Sequence, residues 1–572
     1  MNLEQSVRDR FTSAFAAVAG ETVDPVVRRS QHADFQADGA LPLARRLGRS
    51  PRDIATEVLR CVDLTDLAES VEMAGPGFIN VRIATSALER LLAETTVDER
   101  LAVPAVDDPE IVVIDYSAPN VAKEMHVGHL RSTVIGDAAA RLLTWLGHDV
   151  RRANHVGDWG TPFGMLIEHL LDLGEAEAAH ELSVGDLNEF YRAARVKFDT
   201  NESFADRARR RVVALQAGDE TTLRLWRLLV DESEKYFLAV YAQLGVTLTA
   251  ADFCGESFYN RMLDPVVDEL DRLGLLSTSD GARCVFPAGF TGRDGVAHPI
   301  IVRKRDGGYG YGATDLAAIR HRTQDVKATR LLYVVGAPQR QHLEMVFQAA
   351  REAGWLIAPA RAMHIGFGQV LGADGKKLAS RAGQTVKLAD LLDEAVARAD
   401  ALVRAKTPDL DAEARAAVAR AVGIGAIKYG DLSSERGKDY VFDWDRMLSF
   451  IGDTGAYLQM AYARIQSIFR KGAVTPDRTA PIHLGEPAER ALALELLAFP
   501  AVINEVAETL HFHRLTGYLQ ALAGAYTDFY EICPVLKAPD GVRPSRLALC
   551  DLTGRTLARG LDLLGIAAPS RM

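Results

Sequence analysis

Cysteine is scarce in this chain: five among 572 residues, Cys61, Cys254, Cys284, Cys533 and Cys550, far apart and with no C-x-x-C pair. That spacing argues against a structural zinc site and against a disulfide framework, and the five read as core residues. Long apolar runs are lacking too. Nothing approaches the ~18 residues of a membrane helix, and the N-terminal stretch mixes acids with helically spaced apolar positions, so no secretory signal or membrane partner is expected and the cytoplasm is the expected location. Positive charge is in deficit, with 66 Lys and Arg against 77 Asp and Glu and a net charge of −11. This excludes an indiscriminate coat on nucleic acid, so any RNA partner must meet a local basic face. Repeats and low-complexity segments are absent. The balance of 48% hydrophobic and 25% charged residues is that of a globular protein, and at roughly 150 residues per domain it divides into three or four.

What is present centres on Ile111 to Val150. The apolar run Ile111 to Ile114 predicts a buried parallel strand, Asp115 to Met125 a loop, and the spacing of Leu130, Val134, Ala138 and Leu142 a helix from about Val127. The loop ends in His126-Val127-Gly128-His129, two imidazoles around a glycine where a helix start presents free N–H groups to an anion. A triphosphate suits such a place. Gly128 admits a base or ribose close to the backbone, and both histidines can donate to phosphate oxygens as charge develops during attack at phosphorus. The motif also occurs in unrelated nucleotidyltransferases, and its histidines also read as ordinary loop residues.

The runs Ser117-Ala118-Pro119-Asn120-Val121-Ala122-Lys123, His126 to Thr133, and Asn154-His155-Val156-Gly157-Asp158-Trp159-Gly160 resemble the ATP-binding core of class I aminoacyl-tRNA synthetases, in the form found in arginyl-tRNA synthetases. The resemblance implies a Rossmann-like, doubly wound parallel-sheet catalytic domain of α/β class over about 110–400. From about Leu170 to Leu244 charged helical sequence replaces strands, which predicts a helical insertion over 170–244, with Arg207 and Arg209 to Arg211 on a solvated face. Strand character is expected again at Val246 to Phe253, Pro299 to Arg303 and Leu331 to Val335, and Thr314 is the expected N-cap of a helix that aims Asp315.

By resemblance, Asn120 and Gln339 hold the backbone groups of the amino acid, while Glu256, Tyr311 and Asp315 receive a guanidinium. Carboxylates and a phenol oxygen suit the five donors of arginine's planar fork. Phe367 to Gly383 takes the place of the family's signature loop, but Ser380 stands where its last lysine would be. The resemblance assigns the compensating charge to Lys123, three residues before His126, and leaves Lys376, Lys377 and Arg381 to contact ATP together with His126, Gly128 and His129.

Residues 1–102 read as an α+β module. Pro51 opens a helix, Gly75-Pro76-Gly77 a turn, and Phe78 to Ile83 a strand. It resembles the family's N-terminal domain, which implies that Phe78 and Asn80 meet an unstacked tRNA base. Residues 411–572 read as an all-α bundle resembling the family's anticodon-binding domain, which implies tRNA contacts by Lys428, Arg436, Lys438, Tyr457, Tyr462 and Arg464, with Arg470, Lys471 and the closing Arg571-Met572 nearby. The implied activity is an arginine–tRNA ligase using ATP with Mg²⁺, L-arginine and its cognate tRNA, working as a monomer and requiring bound tRNA before it activates the amino acid. A nucleotidyltransferase acting on a small molecule is the first alternative; an inactive synthetase-like RNA binder is the second. Two terminal modules count against the former, and intact His126, His129, Asn120 and Asp315 against the latter.

Overall fold

The computed structural model describes residues 2–174, 187–291, 295–305, 307–378 and 386–572. The chain packs as two compact units: residues 106–406 with 422–448, and residues 1–105 with 407–421 and 449–572.

In chain order, the N-terminal part runs α1 (Leu3–Ala19), β1 (Val27–Arg29), β2 (Phe35–Ala37), α2 (Ala40–Leu47), α3 (Pro51–Cys61), β3 (Ala68–Ala74), β4 (Phe78–Ile83) and α4 (Thr85–Val97). Its antiparallel sheet has the order β1-β2-β4-β3. The part also packs on the C-terminal bundle within one unit. Arg490 reaches Asp34 at 2.6 Å, and Arg555 donates to the carbonyls of Thr96 and Asp98 at 2.6 and 3.1 Å. The sequence reading separates 1–102 from 411–572; packing joins most of them.

The larger unit is built on β5 (Ile111–Asp115), α5 (Val127–Leu146) and β6 (Asp149–Ala153), followed by the helices α6 (Thr161–Leu173), α7 (Leu187–Thr200), α8 (Glu202–Gln216) and α9 (Glu220–Leu244). The expected helical insertion is therefore observed over its described residues. Of its arginines, Arg209 and Arg210 are exposed as expected, whereas Arg207 and Arg211 both reach the buried Glu168 of α6, at 3.0 and 2.7 Å. Then come α10 (Asn260–Arg272), β7 (Leu276–Ser279), β8 (Ala282–Val285), β9 (Ile300–Arg303), α11 (Tyr311–Gln324), β10 (Arg330–Tyr333), α12 (Arg340–Glu352), β11 (Arg361–His364), β12 (Val370–Leu371), α13 (Leu388–Lys406), α14 (Ala412–Leu432) and β13 (Tyr440–Val441). A parallel sheet of order β11-β10-β5-β6 forms the centre. β5 and β10 are buried along nearly their whole length, as strands covered on both faces must be. Their register lines up Ala153, Asp115, Tyr333 and His364 at one edge, so the loops that follow open on a common crevice, where open α/β sheets bind ligands.

Three expectations differ. Val246 to Phe253 forms no strand, because Thr249 donates from its N–H and hydroxyl to Asp252 at 2.7 and 2.8 Å and closes a short 3-10 turn, a local bond that competes with a ladder. The strand expected at Pro299 to Arg303 forms as β9, but it joins the antiparallel ribbon β7-β8-β9 and not the parallel sheet of the doubly wound domain. Finally, α11 is capped at Gly310 and begins at Tyr311, ahead of Thr314. Gly310 and Gly312 lie so close to Ile301 and Ile300 that a Cβ would fall 2.5 and 2.2 Å from them; these glycines seat the helix start on β9. Of the cysteines, Cys284, Cys533 and Cys550 are buried as expected, whereas Cys61 is exposed.

The remaining helices are a short turn, Trp444–Met447, and the bundle α15 (Gly455–Gly472), α16 (Pro487–Thr509), α17 (Phe512–Ile532) and α18 (Arg543–Leu563). A test of the core lies under α5. A Cβ on Gly136 would meet the buried Tyr116 ring at 2.3 Å, so Gly136→Ala should cost about 1–3 kcal/mol. The melting midpoint should fall; an unchanged midpoint would mean that the ring has room to move.

Candidate active site

The loop from β5 to α5 carries three non-glycine residues in the left-handed region: Ser117 at φ 71°, Ala118 at 46° and Ala122 at 59°. Such conformations cost ~1–3 kcal/mol each and persist where surroundings over-determine them. A buried polar network does so. Ser117 N–H donates to Ser132 Oγ at 2.9 Å, Ala118 N–H to Asn154 Oδ1 at 3.0 Å, and Ala122 N–H to Ser233 Oγ at 2.9 Å. Tyr241 Oη sits between Ser117 Oγ at 2.8 Å and Asn154 Nδ2 at 2.9 Å, and burial pushes its phenol up to about 12. No functional role for Ser117, Asn154, Ser233 or Tyr241 was assigned from sequence. The first two fall in the runs that carry the resemblance, whereas Ser233 and Tyr241 lie on the inserted helix α9, where nothing local marks them.

At the loop's end His126 is the N-cap of α5. Its Nδ1 accepts from Gly128 N–H at 3.0 Å, and His129 Nδ1 accepts from His126 N–H at 3.1 Å. The two imidazoles thus cap the helix reciprocally, with ring centroids 4.1 Å apart. Because both Nδ1 atoms accept, each ring carries its proton on Nε2 and presents that N–H as a donor. Burial, the first cause, and neighbouring cationic groups hold both below the usual imidazole range, His129 down to about 3. They act as neutral donors near pH 7. Lys123 lowers the His126 value by its charge, which places it beside the motif, and its ammonium lies 4.2 Å from the centroid of the Tyr191 ring.

Carboxylates stand in the segments beyond the neighbouring strands. Glu256, in a 3-10 turn whose N–H donates to Val156 O at 3.1 Å, is raised to about 7 by burial first, then by Asp158 and Asp315. Asp158 is buried and accepts from Ser257 N–H and Oγ at 2.8 and 2.6 Å; sequence reading gave it no role, although it stands in the Asn154 to Gly160 run. Asp315 holds His342 Nε2 at 2.6 Å, which raises that imidazole. An acid held half-protonated beside two others favours a cation that would relieve it. Tyr311, 78% exposed, stands at a cavity of 460 Å³ whose wall includes His342, Gln341, Pro338 and Lys304. Gln339 is exposed at the end of the 3-10 turn after β10. Asn120 is exposed, and its Oδ1 lies over Gly157, where a Cβ would come within 2.4 Å.

Lys376 and Lys377 are exposed on a turn that folds back on β12; Ser380 and Arg381 lie outside the described residues. In the other unit Phe78 is half-buried on β4, while Asn80 Oδ1 is buried without a hydrogen-bond partner. Arg464 shares a groove of 890 Å³ with Arg470, Lys471, Lys537, Arg571 and Tyr530; Lys537 and Tyr530 were not foreseen. Tyr457 and Tyr462 are half-buried on the same helix, with Tyr457 Oη 3.3 Å from Thr527 Oγ1. Lys428 is corrected: it is 1% exposed and donates to Gly245 O at 3.0 Å, so it does not face RNA. With Arg436 and Lys438 it belongs to the unit of the parallel sheet and not to the bundle.

Comparison with known proteins agrees with this layout. Residues 91–444 match the family described as tRNA synthetases class I (R), catalytic domain; residues 458–572 match the DALR anticodon binding domain; and residues 1–83 match the arginyl tRNA synthetase N terminal domain. An arginine–tRNA ligase of Thermobifida fusca is 57% identical over 100% of this chain and 99% of its own, and one of Streptomyces coelicolor is 49% identical over the same shares. Among solved structures, arginyl-tRNA synthetase of Plasmodium falciparum superposes with a TM-score of 0.87 at 29% identity, covering 100% of this chain and 99% of that one. That of Thermus thermophilus gives 0.84 at 27%, with 100% of each covered.

The reciprocal histidine cap has a direct test. In nitrogen-15 spectra of the histidine side chains, His126 and His129 should both show the neutral Nε2–H form at pH 7, and His129 should stay neutral down to about pH 4. Protonation of His129 near pH 6.5 would contradict the cap.

Proposed function

We infer the function from one premise: the chain belongs to the class I arginyl-tRNA synthetase family. It is an aminoacyl-tRNA ligase that joins arginine to tRNA with ATP. In the reading proposed here, ATP lies across the start of α5 with its phosphates toward His126 and His129. Arginine is held with its backbone groups at Asn120 and Gln339 and its guanidinium toward Glu256, Asp315 and Tyr311. The arginine carboxylate attacks the α-phosphorus and pyrophosphate leaves; a terminal ribose hydroxyl of the tRNA then attacks the acyl carbon and releases AMP. Mg²⁺ enters with ATP as part of the substrate. The protein contributes position and charge and no covalent nucleophile.

What supports the reading is a pair of neutral imidazole donors at the start of α5 and a carboxylate cluster around Glu256, both in loops beyond the same end of the parallel sheet. A donor pair fits phosphate; a carboxylate raised to about 7 by burial and two acidic neighbours fits a cation that is always charged. The groove around Arg464, Arg470, Lys471, Lys537 and Arg571 supports an RNA contact on the bundle, with Tyr530 as a stacking face. Phe78 and Asn80 remain proposed contacts to a second part of the tRNA, and Arg436 and Lys438 to the backbone. The reading places the protein in the cytoplasm as a monomer; among the described residues no helix is long and apolar enough to cross a membrane.

Charging of bulk tRNA with each amino acid separately tests the reading: arginine alone should be esterified. Asp315→Asn should weaken arginine binding by about 2 kcal/mol, or roughly thirtyfold in KM, with the KM for ATP little changed. Normal charging by that variant would remove Asp315 from the pocket. Lys123→Ala should lower kcat for adenylate formation by about 100-fold at nearly constant KM for arginine. An undiminished rate would mean that another cation answers for the missing lysine at Ser380.

A further inference from the structure

Two anchors flank the turn that bears Lys376 and Lys377. On its C-terminal side, Val127 N–H donates to Val386 O at 3.0 Å and Leu388 N–H to Met125 O at 2.9 Å, which fastens the chain to the histidine motif. On its N-terminal side, β12 pairs in parallel with β13, Val370 facing Tyr440. Gly368 N–H donates to Arg436 O at 3.1 Å, Tyr440 N–H to Gln369 O at 3.1 Å, and Phe442 N–H to Leu371 O at 2.8 Å. The turn itself closes on β12, with Gly372 N–H on Lys376 O at 2.8 Å and Leu378 N–H on Val370 O at 3.1 Å. The position of both lysines therefore follows that of β13.

Arg131 reaches β13 from α5, two residues after His129. Its Nη1 donates to Lys438 O at 2.9 Å, its Nε lies 3.2 Å from Asp431 Oδ2, and both side chains are at most 1% exposed. The guanidinium carbon stands 5.2 Å from the centroid of Tyr440 and 5.8 Å from that of Phe367. A buried pair of this kind is often no more stabilising than apolar residues of the same volume, so stability alone does not account for it. A planar fork held between a carboxylate, a carbonyl and two rings does fix direction as well as distance.

We propose that Arg131 and Asp431 are positioning residues for adenylate formation: their buried pair sets where β13, and through β12 the Lys376–Lys377 turn, stands relative to His126 and His129. The inference rests on the assignment of adenylate formation to this site. Neither residue touches substrate. Loss of the pair shifts the cations away from the phosphates that the histidines receive, and misplacement on the ångström scale lowers turnover without weakening an amino acid held by other strands.

The test is arginine-dependent exchange of pyrophosphate into ATP by the full chain with tRNA present, measured with melting midpoints for each variant. Asp431→Asn and Arg131→Lys should lower kcat by roughly 30- to 100-fold with KM for arginine within about threefold of the parent, and Asp431→Glu should recover part of the loss. Lys428→Met serves as the control, since Lys428 is buried on the same helix α14 and donates to Gly245 O; it should lower the midpoint and keep kcat. Unchanged kcat in Asp431→Asn and Arg131→Lys would overturn the inference. So would an equal kcat loss in Lys428→Met at an equal fall in midpoint, because that would mark general loosening. A parent chain with no exchange at all would overturn the assignment of adenylate formation, and this inference with it.

Discussion

The site depends on a backbone held where it would not go by itself. Left-handed Ser117, Ala118 and Ala122 turn the chain from β5 into α5, and they persist because Ser132, Asn154, Ser233 and Tyr241 each satisfy a group that this path exposes. These partners come from three separate elements, so the loop is set only when the sheet, α5 and the inserted helix α9 are all in place. The consequence is a helix start in which the N–H groups of His126 and Gly128 are used by its own histidines, which leaves two Nε2–H donors without a charge on either ring.

Keeping those rings neutral matters for the chemistry beside them. A cationic imidazole would have to sit partly desolvated beside the charge of Lys123, which the neutral form avoids. A neutral donor gains as charge grows on the oxygen. The opposite design is used around Glu256, where burial and two neighbouring acids raise the carboxyl to about 7. That arrangement is unfavourable in the free protein, and in the proposed reading the guanidinium of arginine relieves it. The selectivity follows from the geometry of the relief, since lysine brings the charge but not the planar fork.

Much of this was legible in the sequence because it is local. The apolar run of β5, the start of α5 at Val127, the proline at the head of α3 and the strand after Gly75-Pro76-Gly77 follow from short-range rules, and the motif order gave the family. What was not legible depends on chain segments far apart. Lys428 reads as an exposed cation in its own stretch, and only the approach of Gly245 reveals it as buried. Thr314 has the chemistry of a cap, but the seating of Gly310 and Gly312 on β9 starts the helix earlier. The joining of the N-terminal sheet to the C-terminal bundle rests on pairs such as Arg490 with Asp34, which no periodicity announces. The same holds for Arg131, an unremarkable residue in sequence whose partner Asp431 lies 300 positions away.

The central claim is that an anionic pocket, held partly protonated until occupied, selects arginine. Calorimetry of arginine binding at pH 7 in buffers of different ionisation enthalpy counts the protons exchanged. With Glu256 near 7 in the free protein, the account predicts release of up to about half a proton per arginine, diminished in Glu256→Gln and nearly absent at pH 9. Binding at pH 7 with no proton released would contradict it.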